Sequence, residues 1–172
     1  SLGISEVSTF RRPTVALIIT GDELVPAGQP LEPGKIHNSN GPALGAALSE
    51  LGLKADPILT IRDDPGPLKE AVKKGLRSDV LITVGGVSAG DRDLLPGIFQ
   101  ELGVRELFHK VAIKPGKPLW FGTFEGRPVF GLPGNPVSSL MVFDRFVRPA
   151  LLKMMGGNAL PRRRFRATLE TD

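Results

Sequence analysis

The chain has 172 residues, 41% of them apolar and 23% charged, enough for one compact domain with a full core. Its net charge of +4 is concentrated in the basic run Arg162 to Arg166, and apart from Phe165 within that run no aromatic residue interleaves with basic ones, so nucleic-acid binding is not expected. With no cysteine, disulfides and thiolate metal sites are excluded, and the two histidines, His37 and His109, stand too far apart in sequence to suggest zinc.

The opening SLGISEVSTFRRP lacks the apolar centre of a signal peptide, and no apolar run approaches the roughly 20 residues that span a bilayer. A cytoplasmic location without membrane contact is the expectation. TVALII at 14–19 and DVLITV at 79–84 are continuous apolar, β-branched runs, the pattern of strands buried on both faces of a parallel sheet. Between them, NGPALGAALSELG predicts a helix capped by Asn40, with Leu44, Ala47, Leu48 and Leu51 on one face and Gly52 ending it. LKADPILTI follows as a strand, placed at an edge by Pro57. Asp64-Pro65 opens a second helix with Leu68, Val72 and Leu76 inward.

A third helix carries Leu95, Ile98, Phe99 and Leu102 before Gly103. VRELFHKVAIK, PLWFGTF and RPVFGL then read as short strands, with Glu125-Gly126 as a hairpin tip. A last helix starts at Asn135-Pro136, burying Leu140, Phe143, Val147 and Leu151, with Pro149 able to bend it. The alternation predicts an α/β fold of three layers, a mostly parallel sheet with helices on both faces and right-handed crossovers.

In such sheets ligands collect beyond the carboxyl ends of the strands. The loops there are TGDEL at 20–24, RDD at 62–64 and GGVSAGDRD at 85–93, with KPGKP and GLPGNP later in the chain. Gly85, Gly86 and Gly90 can turn backbone N–H groups inward as an anion nest beside a helix N-terminus, and Ser88 adds a hydroxyl. The plainer alternative is a tight connection with Asp91 or Asp93 as helix cap, but one cap uses only one aspartate. The loop matches neither the Walker pattern nor the dinucleotide fingerprint. Carboxylate pairs follow three strands, Asp22 with Glu23, Asp63 with Asp64, and Asp91 with Asp93, an arrangement that suits a hard divalent cation. Asp64 is equally a helix cap. Lys114 and Lys117 flank a Pro-Gly turn and can grip an oxyanion as point charges. Asn135 and Pro136 make a good cap and first turn, and Ser138 and Ser139 behind them can receive a second anion. His37 and His109 read as surface or packing residues.

TGDEL, GKIHNSN, RDD, GGVSAGDRD, KPGKP and GLPGNPVSS, in this order, resemble the molybdopterin-binding domain of molybdopterin molybdenumtransferases, the MoeA and gephyrin E-domain family. The resemblance covers about residues 14–156. It implies the MogA-like fold and insertion of molybdate into adenylylated molybdopterin with release of AMP, assisted by Mg2+. By motif position it implies Asp93, Asp64 and Glu23 as catalytic carboxylates, with Asp93 and Glu23 on the metal. Thr20, Gly85, Gly86, Ser88 and Gly90 would hold the phosphate of the pterin, and Lys114, Lys117, Pro118, Gly134, Asn135 and Ser138 would line the molybdate end. Ile19-Thr20 stand where the family often has Ser-Thr, so any hydroxyl role there falls on Thr20 alone.

The resemblance further implies domains on both sides. Residues 1–13 read as a junction, 14–156 as the molybdopterin-binding domain, and 157–172 as a linker and first strand of a following domain, so reduced activity is expected of the chain alone. The implied partners are molybdopterin, molybdate and further copies of the chain, as a homodimer or alternatively a trimer, with a MogA-type adenylyltransferase as a possible neighbour in the pathway. Rival readings are a MogA-like adenylyltransferase using ATP, a non-catalytic oligomerisation or scaffold module, and a pyrophosphatase-like or amidohydrolase relative. The last leaves the lysine and Asn-Pro motifs without a role.

Overall fold

A computed structural model describes residues 3–87, 93–157, 166–168 and 170. The basic run, apart from Arg166, and most of the segment expected to begin a following domain lie outside the described residues. Strand β1 (Val15–Thr20) is followed by two short strands, β2 (Leu24–Val25) and β3 (Ile36–His37), then helix α1 (Asn40–Glu50). Strand β4 (Ala55–Ile61), α2 (Pro65–Gly75), β5 (Val80–Val84) and α3 (Leu94–Glu101) come next. β6 (Arg105–His109), β7 (Trp120–Phe124) and β8 (Arg127–Leu132) complete the sheet before α4 (Pro136–Val142), a π-helical turn (Phe143–Val147) and α5 (Arg148–Met154).

The strands lie in the order β4-β1-β5-β8-β7-β6. β4, β1, β5 and β8 are mutually parallel, while β7 is antiparallel to its neighbours. The small β2-β3 pair was not foreseen from sequence. Alternation along β1 divides the core: Val15, Leu17 and Ile19 meet Leu44, Leu48, Val142, Val147 and Leu151 on one face. Ala16 and Ile18 meet Leu68, Val72, Leu95 and Phe99 on the other. This is the expected three-layer α/β fold, and β4 takes the edge position that Pro57 implied. The Glu125-Gly126 tip is also observed, with φ of 49° and 78°, both left-handed as a two-residue hairpin of type I′ requires.

Three expectations are corrected. Asn40 does not cap α1. It is buried as the first helical residue, the N-cap position falls on Ser39, and the Asn38 Oδ1 accepts the Gly41 N–H at 3.0 Å. VRELFHKVAIK is strand only over Arg105–His109, because residues 110–119 fold back as a loop on α4, where Gly116 packs on Val142. Leu140 is exposed, and Ser139 and Val142 take the inward positions of α4. The π turn resets the helical phase, and it is followed by Arg148 and then Pro149, which has no N–H to offer the Arg145 carbonyl one turn back.

Candidate functional site

The carboxyl ends of the four parallel strands deliver their loops to one pole of the sheet, where hydrogen bonds tie them together. Thr20, 5% exposed, donates its hydroxyl to the Asp63 carboxylate, and the Asp63 N–H donates to Asp22 Oδ1 at 3.2 Å. These contacts lock TGDEL to RDD. Lys35 donates to the Asp22 carbonyl at 2.8 Å, and Asn38 Nδ2 donates to the Thr60 hydroxyl at 3.0 Å, drawing GKIHNSN onto the same pole.

The glycine turn sits between these loops and the end of β8. Gly85 donates to the Leu132 carbonyl at 3.0 Å and has φ 91°, and an added Cβ there would meet the Thr20 carbonyl oxygen at 2.5 Å. Only glycine lets the two backbones approach so closely. Gly86, φ 61°, faces Thr20 and Leu95, and Gly134 lies against Gly85. Asn40 Nδ2 donates to the Gly134 carbonyl at 2.7 Å, while its Oδ1 accepts from the Ser139 hydroxyl at 2.8 Å. Asn135 caps α4, its Oδ1 accepting from the Ser138 N–H at 3.1 Å and hydroxyl at 3.3 Å. Thr20, Gly85, Gly86, Gly134, Asn135 and Ser138 therefore belong to one connected cluster.

The carboxylates divide by their partners. Asp22 and Asp63 accept hydrogen bonds within the cluster. Asp64 caps α2, accepting from the Gly66 N–H at 3.1 Å. Asp93 occupies the N-cap position of α3 half-buried, without spending its side chain on the cap. Glu23 is exposed, its carboxylate beside Gly21. Among the described residues no three or more His, Cys, Asp or Glu gather as a metal site. Two carboxylates still suit Mg2+, which commonly binds one or two together with substrate phosphates and water. Ser88, Gly90 and Asp91 lie outside the described residues.

Both lysines of KPGKP are exposed. Lys114 lines a cleft with Ile113, Pro115, Met141, Arg145 and Phe146 on the flank of α4, whereas Lys117 is not among its walls. Pro118 is half-buried beside Lys117. His37 is exposed, as expected. His109 is not merely packed: its Nε2 lies 2.9 Å from the Val87 carbonyl, so it donates to the backbone that continues from the glycine turn. No sequence signal could have found it, since its partner is a carbonyl any residue would supply.

At the opposite pole, Arg11 binds Asp79 through two contacts of 2.5 Å, and the Thr14 N–H and hydroxyl add 2.7 and 2.8 Å bonds to the same carboxylate. The Arg11 guanidinium, helped by Thr14 against partial burial, holds the Asp79 carboxyl well below the usual carboxylate range. No helix among the described residues is long and apolar enough to cross a membrane.

Residues 16–153 match the family model described as "Probable molybdopterin binding domain". A protein of Staphylococcus epidermidis named molybdopterin molybdenumtransferase is 41% identical over 99% of this chain, and one of Staphylococcus aureus with the same name is 40% identical over 99%. The chain spans 41% of the length of each. Among solved structures, a MoeA protein of Pyrococcus horikosii superposes with a TM-score of 0.74 at 43% identity, over 86% of this chain and 36% of that one. The MoaB protein of a Thermus species, 19% identical with a TM-score of 0.61, shares the fold over 86% of this chain and 99% of its own.

Proposed function

The chain belongs to the molybdopterin-binding domain family, and from that premise we propose that it forms the pterin-binding part of an enzyme of molybdenum cofactor biosynthesis that inserts molybdate into adenylylated molybdopterin and releases AMP. One observation carries the reading: the loops after β1, β4, β5 and β8 are bound into one polar cluster around a turn where Gly85 is pressed against Thr20.

In this reading the N–H groups of the turn, with Ser88 and Gly90, take the phosphate of the pterin, as backbone amides at helix N-termini do. Thr20 and Asp63 brace the turn from below. Glu23 and Asp93 would hold a Mg2+, which supplies charge neutralisation on the phosphate oxygens when bound. Asp93 lies at the head of α3, between the turn and the helix, and Asp64 orients the RDD loop through its cap. Lys114, Lys117 and Pro118, with Gly134, Asn135 and Ser138 at the head of α4, would receive the incoming oxyanion, the lysines as point charges and α4 through its first-turn amides. A cytoplasmic location and self-association complete the proposal.

The test is AMP release from adenylylated molybdopterin with molybdate and Mg2+, with the chain set in a full-length enzyme of its family. Asp93→Ala is expected to lower the rate about a hundredfold or more while the fold is kept. Unchanged AMP release would overturn the assignment. Pyrophosphate release from molybdopterin and ATP would favour the adenylyltransferase class instead.

A further inference from the structure

Strand β7 is antiparallel to both of its neighbours, so β6 runs in the same direction as β8 and its last residue, His109, ends at the pole of the loop cluster. His109 stands opposite Trp120 in the ladder, half-buried, with Nε2 2.9 Å from the Val87 carbonyl. A carbonyl only accepts, so this nitrogen carries the proton. Val87 is held from its side chain as well. A Cβ on Gly131 of β8 would meet its Cγ1 at 2.7 Å, and the side chain is wholly buried with Trp120, Phe99 and Leu95. The backbone leaving the glycine turn is thus clamped by its side chain on β8 and by its carbonyl on β6. His109 is also the residue from which the KPGKP loop departs. Lys110 turns the chain with φ 71° and donates to the Leu119 carbonyl at 2.7 Å, and the Val111 N–H donates to the Lys117 carbonyl at 2.9 Å. These bonds close residues 110–119 into a loop with its base at the end of β6. One imidazole therefore ties that base to a turn 22 residues away in sequence.

We propose that His109 is a positioning residue: its hydrogen bond to Val87 fixes the spacing between the glycine turn, which takes the pterin phosphate, and the KPGKP loop, which receives the oxyanion. What the spacing serves rests on the function proposed above, whereas the bridge itself rests on geometry alone. Reacting groups held by two loops must meet in one arrangement, and a misplacement of about 1 Å is enough to slow a reaction severely. A bridge between the loops acts on the rate and leaves each ligand's own contacts in place. The imidazole does this without touching substrate, by its one donated hydrogen bond.

His109→Phe keeps a ring and removes the donor, while His109→Gln places an amide nitrogen near the position of Nε2. With the chain set in a full-length enzyme of its family, His109→Phe is expected to lower kcat for AMP release about tenfold. KM for adenylylated molybdopterin and for molybdate should stay within about twofold of wild type, and His109→Gln should recover most of the rate. Gly126→Ala, at the β7–β8 hairpin tip, is the control for a general loss of stability and should keep the wild-type kcat. In the chain itself, amide hydrogen exchange reads the bridge without the reaction. His109→Phe should speed exchange at Val87, Lys110 and Val111 together, and His109→Gln should slow it again. The proposal is overturned if the Phe variant keeps its kcat, if the loss appears in KM instead, if Gly126→Ala loses as much, if Gln restores nothing, or if Lys110 and Val111 stay protected while Val87 does not. A wild type that releases no AMP would sink the assigned reaction and not the bridge, which the exchange decides by itself.

Discussion

The side-chain amide of Asn40 accepts the Ser139 hydroxyl at 2.8 Å, joining the first residue of α1 to α4. The same amide donates to the Gly134 carbonyl at 2.7 Å. One buried group thus fixes where the GLPGNP loop lies relative to α1. Asn40→Ala strands the Gly134 carbonyl, while the Ser139 hydroxyl keeps the Pro136 carbonyl at 3.0 Å as an alternative acceptor. The expected loss is about 2 kcal/mol in denaturant unfolding, one buried amide without a replacement.

Gly85→Ala tests the close approach to Thr20. Its Cβ would sit 2.5 Å from a backbone oxygen that cannot swing aside, and φ is 91°. A loss of about 3 kcal/mol is expected from clash and strain together. Gly126→Ala is the control, because φ there is 78° but nothing lies within 4 Å of the added Cβ. It should lose only about 1 kcal/mol, the conformational part alone. Equal losses at the two positions would show that crowding at Thr20 contributes nothing.

His109→Ala removes the donor to the Val87 carbonyl, 2.9 Å away, and is expected to lower stability by about 1 kcal/mol. It should also speed amide hydrogen exchange at Gly86 and Val87. His109→Gln, whose amide nitrogen can reach the same carbonyl, should restore part of the protection. Exchange that is the same in all three proteins would sink the idea that His109 steadies the turn.

The Asp79 carboxyl titrates below its unfolded value of about 3.9, so the stability it contributes is present above that pH. As pH falls through the depressed folded value, the contribution is lost. Asp79→Asn should therefore lower the melting temperature by about 3 °C at pH 7, with the gap to wild type closing as pH drops below 3.9. A gap that persists undiminished at acid pH would assign the effect to packing.

What could be read from sequence followed from short-range regularity. The apolar runs that became Val15–Thr20 and Val80–Val84 are buried at every position because β1 and β5 face helices on both sides. Gly52 and Asp64 obey local capping chemistry, with φ 68° at the first and the Gly66 amide bound to the second. Asn40 was misread because the groups that bind it lie 94 and 99 residues along the chain, while its own neighbourhood looks like any helix start. Leu140 was misplaced because a uniform 3.6-residue period was carried through a helix that contains a π turn. The convergence of TGDEL, RDD and the glycine turn was legible from their places after strands of a parallel sheet, whose carboxyl ends share one pole. The return of residues 110–119 onto α4 was not, since it depends on Gly116 meeting Val142 far along the chain.

Before β1, an extended segment runs past the amino ends of the strands, where Arg11 holds Asp79, Arg12 donates to the Gly52 carbonyl at 2.9 Å, and the Phe10 ring lies against Gly156 beyond α5. The start and finish of the domain are thus stitched together at one end of the sheet, with the polar loops at the other. Tension applied between them loads this stitching first, peeling Phe10 from Gly156 and Arg11 from Asp79 before any strand ladder is sheared. The glycine turn lies outside the line of force.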